Sequence, residues 1–255
     1  MERTIYRHLI LTVVLMLIWQ TPLWAQDRPC VGHTCQNLIY RSYVEDRMSL
    51  WESTLETMEF EYSLRPDDVL LYDILLAQYG LIGYYLGTDN KSKARSLLNN
   101  AEEYLEKLEN TPGYEAASRL FQAVFYAYQI TLRPWRIVQL GIASERLINE
   151  ALELKDDYPR GYLEKANMLY FAPVIFGGSK KRSIEYYSQA VSLFEENMQN
   201  NHRWLYLSTL VSLANAYEST GDVTAAIATL EKALEFEPGF RWAKNELLPE
   251  LREKM

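Results

Sequence analysis

Apolar residues recur along most of this chain at steps of three and four, the spacing that lines one face of a helix. From Asn37 to Phe60 the pattern runs through Leu38, Tyr43, Met48, Trp51, Leu55 and Met58 and predicts one helix. Arg65-Pro66-Asp67 ends it, and Asp67 or Asp68 is placed to accept from the unpaired amides that open the next helix. A helix pair is expected from about Pro66 to Glu109, its first member carrying Leu70, Leu71, Ile74, Leu75, Leu81 and Ile82 and ending near Gly87-Thr88-Asp89-Asn90. A third segment pairs Ala116–Ile130 with Ile137–Leu154 across Arg133-Pro134-Trp135, and a fourth spans Tyr158 to Asn200. The fifth surrounds Leu207–Phe240, and Phe240–Lys254 reads as a closing helix. About ten helices are predicted and no convincing strand, so the fold class is all-α.

The second helices share a finer pattern: a small residue, a large one four later, and a small one three after that. Ala94, Leu98 and Ala101 show it, as do Ser183, Tyr187 and Ala190, and Ala226, Leu230 and Ala233. In the third pair the order survives as Ala143, Leu147 and Ala151. Small residues at fixed intervals let antiparallel helices approach to roughly 8–10 Å. Within Leu207–Phe240 the set is complete. Ala214 and Ala226 sit at the crossing, Tyr217 and Leu230 fill beside them, and Gly221-Asp222 end one helix and cap the next. Pro238 then stops the second helix.

These residues resemble the tetratricopeptide repeat (TPR) family, whose period is about 34 residues. The resemblance implies a right-handed superhelical solenoid of about four to five helix pairs, with an N-terminal helix and a C-terminal capping helix. The expected organisation is an export signal at residues 1–25, an N-terminal segment with the Cys pair and one helix at 26–60, and the TPR-like solenoid at 61–255. The resemblance also implies a scaffold that binds a protein or peptide in its concave groove, without catalysis or a cofactor. In the Leu207 repeat the groove-facing positions fall on Ser208, Val211, Asn215, Glu218 and Ser219. Asn215 stands where many TPR domains hold a peptide backbone. If Ala166 matches Ala214, Asn167 occupies the same place in the fourth pair, with Arg160 and Leu163 beside it. An Asn offers both a donor and an acceptor for such a task. Glu218 stands where chaperone-binding members place a cation, which argues against a carboxylate clamp.

The segment Ala172-Pro173-Val174-Ile175-Phe176-Gly177-Gly178 is apolar where loops between surface helices are normally polar. It resembles a loop in periplasmic TPR proteins, including subunits associated with TRAP-type solute transporters. That likeness implies an alternative function: a small-ligand-binding or transporter-associated subunit whose site is roofed by Phe176. The other reading of Phe176 is a plug for the gap left by a non-standard repeat. A third function, a structural adaptor, would use Cys30–Phe60 to dock on an envelope assembly through an apolar patch near Trp51.

Arg3 and Arg7 precede an apolar run from Leu9 to Trp19, broken only by Thr12, and small Ala25 follows Pro22. That order matches an export signal cleaved after Ala25, and the run is shorter than the roughly 18 residues of a spanning helix. An uncleaved anchor is the alternative. The expected location is periplasmic, with no membrane insertion after cleavage. Loss of Glu2, Arg3 and Arg7, a net +1, takes the formal charge from −8 to −9. Such an acidic chain argues against nucleic acid and against anionic membrane surfaces as partners. Lys180-Lys181-Arg182 is the one basic cluster. A protein or peptide, belonging to an envelope complex or a transporter, is the expected partner.

Cys30 and Cys35 are the only cysteines. In an oxidising compartment a disulfide is expected. Free thiols, or a metal held by Cys30, His33 and Cys35, are the alternatives, but three candidate ligands fall short of the usual four. No P-loop, nucleophile elbow, histidine pair at metal spacing or dinucleotide fingerprint occurs. Asp67-Asp68 and Asp156-Asp157 fall at helix junctions, where carboxylates cap. Nothing in the sequence supports an enzyme.

Overall fold

The computed structural model describes residues 33–196, 198 and 203–254. The expected signal of residues 1–25, and Cys30, lie outside them. Helices α1 (His33–Val44) and α2 (Met48–Leu64) form a hairpin, followed by α3 (Asp68–Gly87) with α4 (Lys91–Leu108) and α5 (Glu115–Leu132) with α6 (Ile137–Leu154). Helices α7 (Pro159–Phe171) with α8 (Lys180–Glu196) and α9 (Arg203–Ser219) with α10 (Val223–Phe236) complete five pairs. A helical segment with a π turn at Ala243–Leu247 and α11 (Leu248–Arg252) closes the array. No strand occurs among the described residues. Pro249 accounts for the π turn: it has no N–H for the carbonyl four residues back, and its ring crowds that carbonyl, so the turn widens.

Local chemistry sets the boundaries. Asp67 caps α3 by accepting from the Leu70 amide at 2.8 Å, Asn90 caps α4, and Asp222 caps α10 through the Ala225 amide at 3.0 Å. Gly221 takes the left-handed conformation (φ +86°) that ends α9. One expectation fails here. The single helix from Asn37 to Phe60 is two helices, broken at Glu45–Arg47, where Asp46 adopts φ +52° and the Arg47 amide returns to the Ser42 carbonyl. Aspartate tolerates that conformation better than most residues. Because Tyr43 and Met48 both pack on the core, the apolar spacing continues across the break and hides it.

The small–large–small positions are the seams between layers. Ala94, Leu98 and Ala101 are buried, as are Ser183, Tyr187 and Ala190, and Ala226, Leu230 and Ala233. In the third pair the register shifts by one. Ser144, Ile148 and Ala151 are the buried set with four-then-three spacing, whereas Ala143 is only half-buried. Serine fits because its hydroxyl donates to the Ala123 carbonyl at 2.9 Å, satisfying the buried oxygen.

Odd-numbered helices form the inner layer. Tyr72 of α3 meets Phe121 of α5 edge-on with ring centroids 5.7 Å apart, and Tyr79 stacks on Tyr128 at 6.2 Å. Both pairs are 49 residues apart in sequence, so α3 and α5 run parallel, one repeat apart. Helix α3 is long and apolar enough to cross a bilayer. Its buried residues Leu71, Ile74, Leu75, Leu76, Ala77, Leu81 and Ile82 instead make it the central core helix, packed on several sides.

The solenoid also closes on itself. Helix α9 packs on α1 as well as on α8 and α10. Trp204 at the start of α9 lies 5.0 Å, centroid to centroid, from Trp51 of α2, and Tyr43 of α1 contacts Trp51, Trp204 and Phe240. Tyr40 donates to Glu237 at 2.6 Å, and Arg241 donates to the Glu45 carbonyl at 3.2 Å. Trp51 is therefore buried within its own chain, its indole N–H held by the Ala77 carbonyl at 3.1 Å. The apolar patch near Trp51 that a docking segment would need is consumed by this closure.

Gly80 makes the closure possible. A Cβ there would lie 2.6 Å from Trp51 Cζ2 and 2.9 Å from Trp204 Cη2. Mid-helix Gly→Ala ordinarily stabilises by about 0.5–1 kcal/mol. At this position overpacking dominates, and Gly80→Ala is expected to cost about 1–3 kcal/mol. Urea denaturation checks the sign, and a raised midpoint would show that the tryptophans do not grip α3.

Candidate functional site on the inner face

Pro159 starts α7, its fixed φ suiting the first turn and its missing N–H costing nothing there. Arg160 and Glu164 follow four residues apart, on one face of α7, and both are buried. The Arg160 guanidinium carbon sits 3.7 Å from the Phe121 ring centroid and 5.1 Å from that of Tyr79. Its Nε is 3.8 Å from Glu164 Oε1. The cation thus lies against an aromatic wall, with the carboxylate to one side.

A chain of hydrogen bonds runs from this pair across the repeats. Asn167 donates to Glu164 Oε2 at 3.0 Å and accepts from the Tyr187 hydroxyl at 2.7 Å. On the other side the Tyr72 and Tyr158 hydroxyls pair at 3.2 Å, and Tyr128 donates to the Tyr79 carbonyl at 2.9 Å. Burial pushes the Glu164 carboxyl above the usual carboxylate range, against the lowering pull of Arg160 and Asn167. Burial also raises Tyr72, Tyr79 and Tyr128 well above the ordinary phenol value, so all three stay protonated. Burial opposes the Arg160 charge as well, yet Tyr72, Tyr158 and Glu164 together hold its pKa above the usual guanidinium value. The inner face thus holds a polar cluster whose hydrogen bonds link α3 to α5, α3 to the start of α7, and α7 to α8, while the buried Arg160 guanidinium rests on the aromatic rings without a hydrogen bond. Beside Trp204 the interior encloses about 10 Å³, lined by Gln36, Asp73 and Ala77, room for one water.

The residues singled out in the sequence separate into distinct environments. Arg160 is buried and belongs to the polar cluster, as does Asn167. Val211 is buried in the core. Ser208 hydrogen-bonds Tyr43, and Glu218 forms an ion pair with Lys254. Asn215 is half-buried on α9, one turn beyond Ser212. Phe176 is exposed in the α7–α8 loop. Cys35 is buried and disulfide-bonded, while Cys30 lies outside the described residues. Among the described residues no cluster of His, Cys, Asp or Glu is arranged to hold a metal.

Sequence reading passed over both Glu164 and Trp204. The spacing of Glu164 four after Arg160 was a legible ion-pair signal. Nothing local marked Trp204 as the contact for α2 and α3.

A groove of about 350 Å³ lies on the outer side, between α8 and α10 over α9. Its floor includes Val191, Leu210, Leu213 and Tyr217, and Glu195 and Lys232 pair at 2.7 Å along its edge.

Helical hairpins stacked in register with small residues at every seam define a repeat solenoid. The tetratricopeptide repeat family profile matches residues 207–240, so this stretch is one TPR repeat, and the chain as a whole has the fold of a TPR solenoid. No curated protein sequence matches it. Among solved structures, the HusA haemophore from Porphyromonas gingivalis superposes with a TM-score of 0.59 at 20% identity, covering 75% of this chain and 97% of that one. TTC0263, a thermophilic TPR protein of Thermus thermophilus, superposes with a TM-score of 0.55 at 18% identity, covering 86% and 96%. These likenesses concern the fold.

The buried pair yields a pH-dependent expectation. Arg160→Met leaves Glu164 enclosed without its cation and is expected to cost about 3–5 kcal/mol at neutral pH. The folded pKa of Glu164, already raised by burial, then rises further, so the folded variant binds a proton that the unfolded chain releases. Stability lost to the variant is therefore regained as pH falls through that raised value. Urea midpoints at neutral and mildly acidic pH check this, and a gap from wild type that widens on acidification would contradict the placement of the pair.

Proposed function

We propose that this protein is an exported, periplasmic scaffold that holds a protein or peptide partner along the accessible edge of α9. The TPR-type fold supports a protein-interaction role. The observation that carries the finer reading is the environment of Asn215. It is half-buried on α9, and no hydrogen bond to its side chain occurs among the described contacts of α9. A side chain offering both donor and acceptor beside a rigid framework suits the backbone of an extended peptide. Asn167, held by Glu164 and Tyr187, acts in this reading as support for the framework. Glu218 is neutralised by Lys254, in keeping with a partner recognised by something other than a terminal carboxylate.

A second reading is a carrier of a small organic ligand or a transporter-associated subunit. The groove beside Tyr217 and Leu213 favours it, since its volume reaches the lower range of small-molecule sites. A haemophore, HusA, shares the fold.

All the packing described lies within residues 33–254, so the chain from residue 26 onward keeps the whole fold and serves for the test. It is used to capture material from an envelope extract of its source, and the eluate is read by native mass spectrometry. A stoichiometric protein partner lost on Asn215→Ala, with the melting temperature unchanged, is the expected result. Equal capture by that variant removes Asn215 from the site. A retained small mass without a protein partner overturns the scaffold reading in favour of the carrier.

A further inference from the structure

In this solenoid the loop inside each helix pair lies on a common edge, because the inner helices run parallel. Arg160 of α7 sits over Phe121 of α5, so α7 continues that register and its C-terminal loop emerges beside that of α5. Three of the five loops on this edge are short and polar: Glu45–Arg47, Thr88–Asn90 and Thr220–Asp222. The two neighbours in the middle are longer, at four and eight residues, and both carry exposed apolar side chains. The α5–α6 connection presents Trp135 at 77% exposure, and Val138 and Ile142 continue its apolar face along the start of α6. The α7–α8 connection presents Phe171, Val174 and Ile175 at 74%, 83% and 84%, with Phe176 beside them.

The second loop is built to project these side chains. Amides of Phe176 and Gly178 both return to the Pro173 carbonyl, at 2.9 and 3.1 Å, and the Ser179 amide reaches the Leu169 carbonyl at 2.8 Å. Gly177 has φ +86°, and a Cβ on Gly178 would fall 1.8 Å from the Ala172 carbonyl oxygen. The backbone is wound tightly on itself, which leaves Val174 and Ile175 nowhere to fold inward.

Charge follows the same outline. The chain carries 34 acidic residues, yet none lies between Ala116 and Ser144 or between Lys165 and Ile184. Those two acid-free stretches contain both loops. Arg133, Lys181 and Arg182 are exposed around the apolar tips, and Lys180 is tied back to the Tyr170 carbonyl at 2.6 Å. Helices α6 and α8 start here with no acidic residue in their first turns, so their positive ends add to the local potential.

We propose that this edge docks on the surface of a lipid bilayer bearing anionic headgroups. Trp135, Phe171, Val174 and Ile175 enter the interface, and Arg133, Lys181 and Arg182 meet the headgroups. Aromatic and aliphatic tips ringed by Arg and Lys match the interfacial zone, where amphipathic rings and cations are both favoured. The net charge of −8 argued against such a surface when spread evenly over the chain, but here it is segregated away from this edge. Pairing of the edge with a second copy would face Arg133, Lys181 and Arg182 against themselves, an arrangement that charge disfavours.

The test is co-sedimentation of the chain from residue 26 onward, which lacks the N-terminal apolar run, with phosphatidylcholine vesicles containing or lacking phosphatidylglycerol. Binding to the anionic vesicles alone, weakened by added salt, is expected. Trp135→Asp with Ile175→Asp should reduce it at least about tenfold, and Lys181→Glu with Arg182→Glu by about fivefold or more. All four sites are exposed, and unchanged circular dichroism and melting confirm that the variants fold. Brominated phosphatidylglycerol should quench tryptophan emission, and Trp135→Phe should abolish most of that quenching. Failure to sediment at low salt overturns the proposal, as does equal binding by wild type and the Asp variant. Dimerisation abolished by the same substitutions, without vesicle binding, overturns it in favour of self-association. Loss of a protein partner without vesicle binding overturns it in favour of a protein interface.

Discussion

The wedge of Trp204 between Trp51 and α3 is the contact on which the remaining architecture depends. It works only because Gly80 has no side chain, and it brings α9 against the N-terminal hairpin. An open row of helix pairs would leave a concave groove running its full length. With Trp204 in place, the N-terminal end of that groove is occupied by the protein's own aromatic residues. Tyr43, Phe240 and the Tyr40–Glu237 hydrogen bond then seal it from the outside.

The Arg160–Glu164 cluster is the second consequence of a closed interior. In a wet groove these side chains would be recognition elements. Enclosed by Phe121, Tyr79 and Tyr128, they are instead a means of fixing how successive repeats sit on one another. Buried ion pairs contribute little net stability, because desolvation offsets attraction, but they penalise misregistered packing strongly. Contacts with other molecules are then left to surfaces that closure spares: the edge of α9 at Asn215, the outer groove at Tyr217, and the rim of the two middle loops.

Most of the fold was legible in the sequence because its signals are local. Caps at Asp67 and Asp222, the glycine at 221 and the small–large–small spacing each depend on residues within a turn or two. The misread elements show where that logic stops. Asp46 breaks a helix whose apolar spacing runs on undisturbed, and Ser144 replaces Ala143 because a carbonyl on the facing helix of the hairpin accepts from its hydroxyl. The site was less legible for the same reason. Arg160 and Asn167 join one polar cluster and Val211 is buried in the core, but whether that side of the array is open depends on Trp204 meeting residues more than a hundred positions earlier. No periodicity carries that information.

Closure also changes what kind of repeat protein this is. In an open array each unit touches only its neighbours, so units fray from the ends and can be added or deleted with graded effect. Here Tyr40 and Glu237, 197 positions apart, are hydrogen-bonded partners. The array behaves as a ring with a fixed circumference. Removing one hairpin would pull α9 out of reach of α1, and inserting one would overshoot it. The number of repeats is therefore set by geometry, and differences in length between units are accommodated in the connections between helices, as at Trp135 and Ile175.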